Sequence, residues 1–209
     1  GGIKIGSVTR DMQINIIGCE GQQPPVIISR EDTCVEAGDT LVMDIRAFDP
    51  DGDNVELSGT GGPFELSKSP AILEPETAVG PDTVTVTLTW PTICNHVQDQ
   101  PYFTYFKAQD DGTPVNLVAL KTITIKVIGP APRDPTAEAI GSSIHVNWRK
   151  SPCAKVVKYE IYRRIGFYGF VPGYCETGVP AYTGYSLIHT TSSIDDTTFI
   201  DDGGGNGML

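Results

Sequence analysis

The most regular feature of this chain is the alternation of apolar and polar residues along short segments. In Thr83–Trp90 the apolar positions alternate with threonines, and they are Val84, Val86, Leu88 and Trp90. A period of two places these side chains on one face of an extended strand, and β-branched residues favour that conformation. The segment is therefore predicted to be a strand with one buried face.

Similar alternation recurs along the chain. Its apolar positions are Leu41, Met43, Ile45 and Ala47 in one segment, Phe103 and Tyr105 in another, and Ile144, Val146 and Trp148 in a third. Turn-forming sequences such as GGP, VGPD, DDGTP and GPAP separate these segments. Short strands at this spacing are typical of β-sandwiches and not of α/β units. The predicted fold class is all-β, with tandem antiparallel Ig-like sandwiches.

An internal repeat divides the chain. Arg10–Gly18 (RDMQINIIG) and Lys121–Gly129 (KTITIKVIG) share three alternating apolar positions, and a Pro-containing linker follows each glycine. Their separation is about the length of one Ig-like domain, which indicates tandem modules. We therefore expect a terminal strand of a preceding module at residues 1–18, a complete cadherin-like sandwich at 24–129, and a further module at 131–209.

Charge narrows the functional classes. The 209 residues include 15 Lys and Arg against 26 Asp and Glu, which gives a net charge of −11. A nucleic-acid partner requires a basic face that replaces phosphate counterions, and anionic lipid requires clusters of Lys and Arg. We therefore expect no nucleic-acid partner. No apolar run is long enough to span a bilayer and no signal peptide opens the chain, so we expect no direct membrane insertion and interpret the chain as a mature fragment.

The five cysteines indicate an oxidising compartment. They form no CxxC pair, so neither a zinc knuckle nor a redox motif is supported. We predict the disulfides Cys34–Cys94 and Cys153–Cys175, one within each module, each worth about 2–4 kcal/mol. Cys19 then pairs with sequence outside this chain. Free buried thiols in a reducing compartment are the alternative.

Catalytic residues are not evident. His96, His145 and His189 lie far apart in the sequence, and no serine lies in a GxSxG motif. Because His145 alternates with the apolar Ile144 and Val146, we expect it to face solvent. The sequence therefore predicts no enzyme.

The motif AFDPDGDNV, residues 47–55, raises a choice between a turn and a calcium site. An EF-hand loop needs Gly at its sixth position and Glu at its twelfth. Counting from Asp49, Gly52 is fourth and Thr60 is twelfth, so the motif is not an EF-hand. As a turn it is well formed, because Pro50 fixes φ and Gly52 tolerates the left-handed conformation.

A calcium site would need a second acidic loop at the same end of the sandwich. That loop would be QDDGTP, and oxygen ligands shared between loops could stiffen a domain junction, as in cadherin-like modules. The candidate ligands are Asp49, Asp51, Asp53, Asp110 and Asp111. Calcium is the one cofactor that the sequence raises, and the turn without a metal is the alternative.

An aromatic segment between predicted strands offers a binding patch. Its candidate residues are Phe167, Tyr168, Phe170 and Tyr174. Exposed rings often mark interaction sites. The alternative is that this loop packs on its own module, held there by Cys153–Cys175.

The last module carries a family resemblance. Its sequence PRDPTAEAIGSSIHVNWRKSP, followed by VVKYEIYRR, resembles the first strands of a fibronectin type III domain, with Trp148 on the second strand. The stretches GFVPGYCETGVPAYTGYSLIHTT and FDPDGDNVELSGTGGPF resemble multi-domain surface proteins of Bacteroidota, a gliding motility-associated family exported by the type IX secretion system. The resemblance implies an exported, modular cell-surface protein used in adhesion, motility or assembly, and it implies no reaction.

The resemblance also implies O-glycosylation at Asp-Thr sequences followed by an apolar residue or Thr. The matching threonines are Thr40, Thr83 and Thr197. Asp-Thr is also common where strands begin, so the motif is short and weakly specific.

The last module departs from the fibronectin pattern because two further strands should follow TTFIDDGG. We therefore predict an incomplete module. A chain taken from a longer polypeptide explains this directly. The alternative is head-to-tail self-association, in which RDMQINI of one molecule adds a strand to the open sheet of another.

The function predicted from the sequence is that of an extracellular structural or adhesive segment of a modular surface protein, without catalysis. Its expected partners are other modules of the same polypeptide, other surface proteins or glycans. The alternative is a glycan-binding accessory region of a secreted enzyme.

Overall fold

Strands make up nearly all of the regular structure of the chain. The computed structural model describes residues 10–13, 18, 21–166 and 168–203. Besides fourteen strands, this part of the chain contains three 3-10 turns, at Gly62–Glu65, Cys94–His96 and Ala181–Thr183. The all-β prediction is confirmed. Among the described residues, no helix has the length and apolarity to cross a membrane.

Nine strands form a sandwich of two sheets in the first part of the chain. They are β1 (Val26–Ile28), β2 (Thr33–Glu36), β3 (Thr40–Phe48), β4 (Val55–Gly61), β5 (Ile72–Glu74), β6 (Thr77–Gly80), β7 (Val84–Pro91), β8 (Tyr102–Asp110) and β9 (Val118–Ile128). One sheet has the order β1-β3-β7-β5 and the other β2-β9-β8-β4-β6. All neighbouring strands are antiparallel except β2 and β9, which are parallel.

The core of this first module lies between the two sheets. The alternating apolar positions of β3 and β7 point inward, as their period of two predicts. Trp90 is fully buried, and its indole N–H donates to the Ser69 carbonyl oxygen at 3.1 Å. The rings of His96 and Tyr102 pack against it, with centroid distances of 5.1 and 5.0 Å.

In β8 the opposite face from the one predicted is buried. Phe103 and Tyr105 are 45% and 49% exposed, whereas Thr104 and Phe106 are fully buried. The sequence YFTYF carries bulky apolar groups on both faces, so alternation alone does not fix which face turns inward. The buried Thr104 hydroxyl is satisfied because it donates to the Ile123 carbonyl oxygen at 3.2 Å.

Five strands form the second module. They are β10 (Arg133–Ile140), β11 (Ser143–Arg149), β12 (Glu160–Arg163), β13 (Ser186–Thr190) and β14 (Thr198–Asp201). They make a three-stranded sheet, β10-β11-β14, and a separate pair, β12-β13. Arg163 on β12 donates to the buried Asp201 on β14 at 2.8 Å, and this ion pair joins the two sheets.

The core of the second module is small. Trp148 and Tyr159 pack edge to face at 5.3 Å between centroids, and Cys153 is fully buried. The indole N–H of Trp148 is buried without an acceptor. Every residue of β10 is exposed. This module therefore holds itself together with far less apolar burial than the first.

Two disulfides connect the modules to each other. They are Cys34–Cys175, with a Cα–Cα distance of 6.1 Å, and Cys94–Cys153, with 5.2 Å. The four predicted cysteines are oxidised, but the predicted pairings Cys34–Cys94 and Cys153–Cys175 are wrong. The pairings were predicted because each pair of cysteines falls within one expected module, whereas two loops of the second module fold back onto the first. Cys19 lies outside the described residues.

Candidate functional site

The structure brings the two acidic loops together at one end of the first module. The Asn54 backbone N–H donates to Asp111 Oδ1 at 2.9 Å, and Asn54 Nδ2 donates to Asp111 Oδ2 at 2.7 Å. The Asp111 N–H in turn donates to the Asn54 carbonyl oxygen at 3.1 Å. The turn after β3 and the loop after β8 are therefore joined through Asn54 and Asp111.

Several of the acidic side chains shape these loops. Asp49 Oδ1 accepts from the Asp51 N–H at 2.8 Å and from the Asp53 N–H at 3.4 Å, which closes the turn on itself. Gly52 has φ of +88°, the left-handed conformation expected at its position. In the other loop, the buried Asp110 accepts from the Leu117 N–H at 2.7 Å. These hydrogen bonds account for Asp49 and Asp110 as turn residues.

The remaining carboxylates are tied to the segment before β1. Asp51 Oδ2 accepts from the Gln23 N–H at 2.6 Å, and Asp53 Oδ2 accepts from Gln22 Nε2 at 3.2 Å. Gly112 permits this close approach, because a Cβ there would lie 2.7 Å from Asp53 Oδ2. The acidic end of the module therefore also holds its entering chain.

Electrostatics set Asp53 apart from its neighbours. Burial, followed by the charges of Asp49, Asp111, Asp110 and Asp51, raises the pKa of Asp53 above its usual 3.8. The Asn54 side-chain hydrogen bond lowers the pKa of Asp111. One carboxyl of the cluster is thus under repulsion while another is stabilised as the anion.

Two buried oxygen atoms in the cluster have no hydrogen-bond donor. They are Asp49 Oδ2 and Gln22 Oε1. Both are acceptors, so a cation would satisfy them where a donor is lacking. In the part of the chain that the structure describes, however, no three His, Cys, Asp or Glu side chains are arranged to hold a metal ion as they stand. The cluster offers oxygen atoms without a complete coordination shell.

The aromatic segment contacts the neighbouring module. The Tyr174 hydroxyl donates to Asp39 Oδ2 at 3.1 Å and accepts from the Glu36 N–H at 3.3 Å. Burial, as the largest cause, raises the pKa of Tyr174. Cys175, the next residue, is bonded to Cys34. This part of the predicted patch therefore helps to dock one module on the other.

The other residues of the predicted aromatic patch differ in exposure and contacts from Tyr174. Tyr168 is 38% exposed, with the Arg164 guanidinium 4.8 Å from its ring centroid. Phe170 is half-buried, and Phe167 lies outside the described residues. The loop is held by Cys34–Cys175 and not by the predicted Cys153–Cys175 bridge.

A cleft of about 770 Å³ lies beside the Cys34–Cys175 disulfide and is lined by residues of both modules. On one side, Lys126 Nζ donates to the Gln98 carbonyl oxygen at 2.9 Å. From the second module, Lys155 Nζ donates to the carbonyl oxygens of Asn95 and Val97, at 3.0 and 2.8 Å. The Lys155 contacts cross between the modules and so reinforce the disulfides, whereas the Lys126 contact lies within the first module.

Sequence reasoning missed an exposed apolar face on the five-stranded sheet. The register of β8 and β9 places Phe103 and Tyr105 on the same outer face as Leu120, which is 77% exposed. Val118 on that face is 44% exposed. The two-faced aromatic sequence of β8 was the signal that could have identified it.

His96 and His189 make contacts with neighbouring protein groups. The Ile93 N–H donates to His96 Nδ1 at 3.2 Å, so the ring proton lies on Nε2 and is donated to the Lys68 carbonyl oxygen at 2.9 Å. His189 stacks on Phe199 at 4.4 Å between centroids. His145 was expected to face solvent and is half-buried on β11.

The candidate glycosylation residues differ in accessibility. Thr40 and Thr83 are exposed, at or just before the start of a strand, and Thr197 is half-buried. The Thr197 carbonyl oxygen also accepts from the Trp148 N–H at 3.0 Å. Glycosylation stays a prediction, and the first two positions are the more accessible ones.

No protein-family model and no curated relative matches the chain. Among solved structures, it is similar to the sialic acid binding region of a Streptococcus sanguinis adhesin (12% identity, TM-score 0.40), over 57% of this chain and 34% of that one. It is also similar to the SrpA adhesin of Streptococcus sanguinis (19% identity, TM-score 0.39), over 60% of this chain and 69% of that one. A third similar structure is AggA, the major subunit of an Escherichia coli fimbria (12% identity, TM-score 0.36), over 50% of this chain and 94% of that one. The chain thus spans about a third of the first of these proteins. The likenesses are too distant to assign a function, which must be argued from the chain's own side chains.

Proposed function

We propose that this chain is a rigid structural segment of an extracellular modular protein, which fixes the spacing and orientation of the modules it joins. The observation that carries the proposal is the pair of inter-module disulfides, Cys34–Cys175 and Cys94–Cys153. Disulfides persist in oxidising surroundings such as the cell surface. The resemblance of the sequence to Bacteroidota surface proteins supports export by the type IX secretion system. The same resemblance supports glycans on Thr40 and Thr83.

Rigidity follows from the number of connections between the modules. The peptide linker Gly129–Pro130–Ala131–Pro132 is short and proline-rich, which already limits its flexibility. A lone linker still acts as a hinge, whereas two further cross-links restrict rotation about it. The Tyr174 and Lys155 contacts add hydrogen bonds between the modules. The two modules should therefore move as one body.

Small-angle X-ray scattering of the oxidised and the fully reduced chain tests this proposal. The oxidised chain should give the scattering of one fixed arrangement, and reduction should broaden the distance distribution and raise the radius of gyration. The double variant Cys94→Ser/Cys153→Ser should lie between the two. An oxidised chain that already scatters as two independently moving modules would contradict the proposal.

A binding function is the second candidate, favoured by the outer face of the five-stranded sheet. Phe103, Tyr105, Val118 and Leu120 form an exposed apolar strip there. Aromatic rings flanked by threonines can stack on sugar rings or on an apolar partner surface. This is the adhesive, glycan- or protein-binding role expected from the sequence.

A glycan and surface-protein array tests the binding candidate. If the strip binds, Tyr105→Ala should abolish the signal. Tyr182→Ala serves as the matched control, since Tyr182 is a 72% exposed tyrosine outside this face. Equal signals from both variants would remove the strip as the binding surface.

We also propose calcium as a ligand of the acidic end of the first module. The donor-less oxygens of Asp49 and Gln22 and the raised pKa of Asp53 support it. Thermal unfolding in calcium and in EDTA tests it, with Asp49, Asp51 and Asp53 all replaced by Asn. Because Asn keeps an Oδ1 acceptor, the turn survives in that variant. A calcium-dependent rise in Tm that the variant loses supports the site, and identical curves leave a turn without a metal.

A further inference from the structure

We infer that the Cys34–Cys175 disulfide carries tensile load past the core of both modules, so that the chain resists stretching as a covalently closed unit. This inference rests on the proposed structural role. It goes beyond that role because it assigns the route by which tension passes through the chain, called the load path, which a rigid segment need not have. The starting observation is the sequence separation of 141 residues that this single bond closes.

Tension follows the shortest covalent path through a chain. When force enters before Cys34 and leaves after Cys175, that path crosses the disulfide and bypasses every residue between them. The second bridge, Cys94–Cys153, lies wholly inside the bypassed loop. With the outer bridge intact, the inner one therefore bears no load.

The bypassed loop contains the structural core. The members of the first module's core run from Val35 to Val127, and all of them lie inside the loop. The buried side chains Trp148, Cys153 and Tyr159 of the second module lie inside it as well. The buried apolar side chains of both modules are thus shielded from tension.

The strands that the structure describes in the loaded path are peripheral. They are β1, which pairs with β3 through three residues, and β13 and β14, which have five and four residues. These strands carry mostly exposed or half-buried side chains. Under force they should detach, and β12 should lose its partner β13, while β2 to β11 stay folded.

Single-molecule stretching of the whole chain, with handles at its two ends, measures this load path. An extended residue spans at most about 3.3–3.6 Å. The oxidised chain should show no long unfolding step. A phosphine added during stretching reduces each disulfide to two thiols and is itself oxidised to the phosphine oxide, while water supplies the oxygen and the two protons. Reduction should then release the loop of 141 residues, roughly 470–500 Å of chain.

Two double variants separate the bridges. In Cys34→Ser/Cys175→Ser the inner bridge still closes a loop of 59 residues. The released length should therefore fall short of full reduction by roughly 190–210 Å. In Cys94→Ser/Cys153→Ser the outer bridge still bypasses the core, so the stretching curve should match that of the unaltered chain. This second variant is the matched control, because it loses one disulfide and keeps the load path.

A long step in the oxidised, unaltered chain would overturn the inference. A step from Cys94→Ser/Cys153→Ser as long as that from Cys34→Ser/Cys175→Ser would overturn it too. Neither result bears on the solution scattering, so a rigid oxidised chain that unfolds under force would reject the load path alone. Because reduction is also done on the unaltered chain, the result does not depend on the variants folding.

Discussion

The first and second modules are built from similar strands, yet they bury very different amounts of apolar surface. Nineteen buried apolar residues form one cluster in the first module. In the second, Trp148, Cys153 and Tyr159 are the buried members among the described residues. From this difference we expect the first module to be stable by itself and the second to depend on the cross-links to its neighbour. A cross-linked pair can thus include a module that is weak alone.

The largest effect should come from the core of the first module. Trp90 is fully buried and donates its N–H to Ser69. Trp90→Ala removes both its packing and that hydrogen bond, and such substitutions cost about 3–5 kcal/mol. Urea unfolding followed by circular dichroism would measure the loss. A cost below that of Trp148→Ala would reverse the comparison between the modules.

Removing the outer bridge should come next. Cys34→Ser/Cys175→Ser should destabilise the second module by about 2–4 kcal/mol, the usual contribution of a disulfide. The first module should change little, because its core does not include either cysteine. Hydrogen exchange with mass spectrometry resolves the two modules. Faster exchange in β3 and β7 than in β11 and β12 would contradict this dependence.

Trp148 should tolerate a change that Trp90 does not. The buried indole N–H of Trp148 has no acceptor, so it carries a desolvation cost without a compensating hydrogen bond. Trp148→Phe removes that cost along with some packing, and should change the stability by less than about 1 kcal/mol. Trp90→Phe should cost more, because Ser69 loses its donor. If Trp148→Phe and Trp90→Phe lower the free energy of unfolding in urea by the same amount, the hydrogen bond of Trp90 does not distinguish the two indoles.

The smallest effects should come from the acidic end, and they should have opposite signs. The pKa of Asp53 is raised in the folded chain, so the folded state binds this proton more tightly than the unfolded state does. The resulting stabilisation of the fold is fully present below pH 3.8 and is lost as the pH rises through the raised pKa. Asp53→Asn should therefore increase Tm at neutral pH in EDTA. The gain should vanish in acid, where the native carboxyl is protonated.

Asp111 provides the opposite case in the same cluster. Its pKa is lowered by Asn54, so its stabilisation is present above pH 3.8 and lost as the pH falls through the lowered value. Asp111→Asn should therefore decrease Tm at neutral pH and have no effect in strong acid. Two variants that shift Tm in the same direction at neutral pH would contradict the assignment of charge within the cluster.

The sequence predicted the local structure well where one face was clearly apolar. The alternation in β3 and β7 identified both strands and their buried faces. It failed in β8, since YFTYF has apolar groups on both faces and the packing of the whole sandwich decides between them. The meeting of the acidic loops was anticipated as a condition for calcium, because turns after strands of one sandwich gather at its ends.

The contacts between modules could not be predicted in the same way. Residues 153 and 175 are near each other in sequence, and a pairing within the module was the shorter closure. Their partners are chosen by where two irregular loops fold, and no periodic pattern encodes that placement. Tyr174 likewise looked like part of a binding patch, although its hydroxyl contacts Asp39 and Glu36. The alternation of apolar and polar residues therefore does not predict how loops distant in sequence dock on each other.

The most direct test of the account is a tryptic digest of the chain without reduction, followed by mass spectrometry. Cleavage after Lys and Arg leaves the four bridged cysteines in four different peptides, 31–46, 69–107, 151–155 and 165–209. We predict that 31–46 is linked to 165–209 and that 69–107 is linked to 151–155. Links of 31–46 to 69–107 and of 151–155 to 165–209 would place each bridge inside one module and contradict both the rigid segment and the load path.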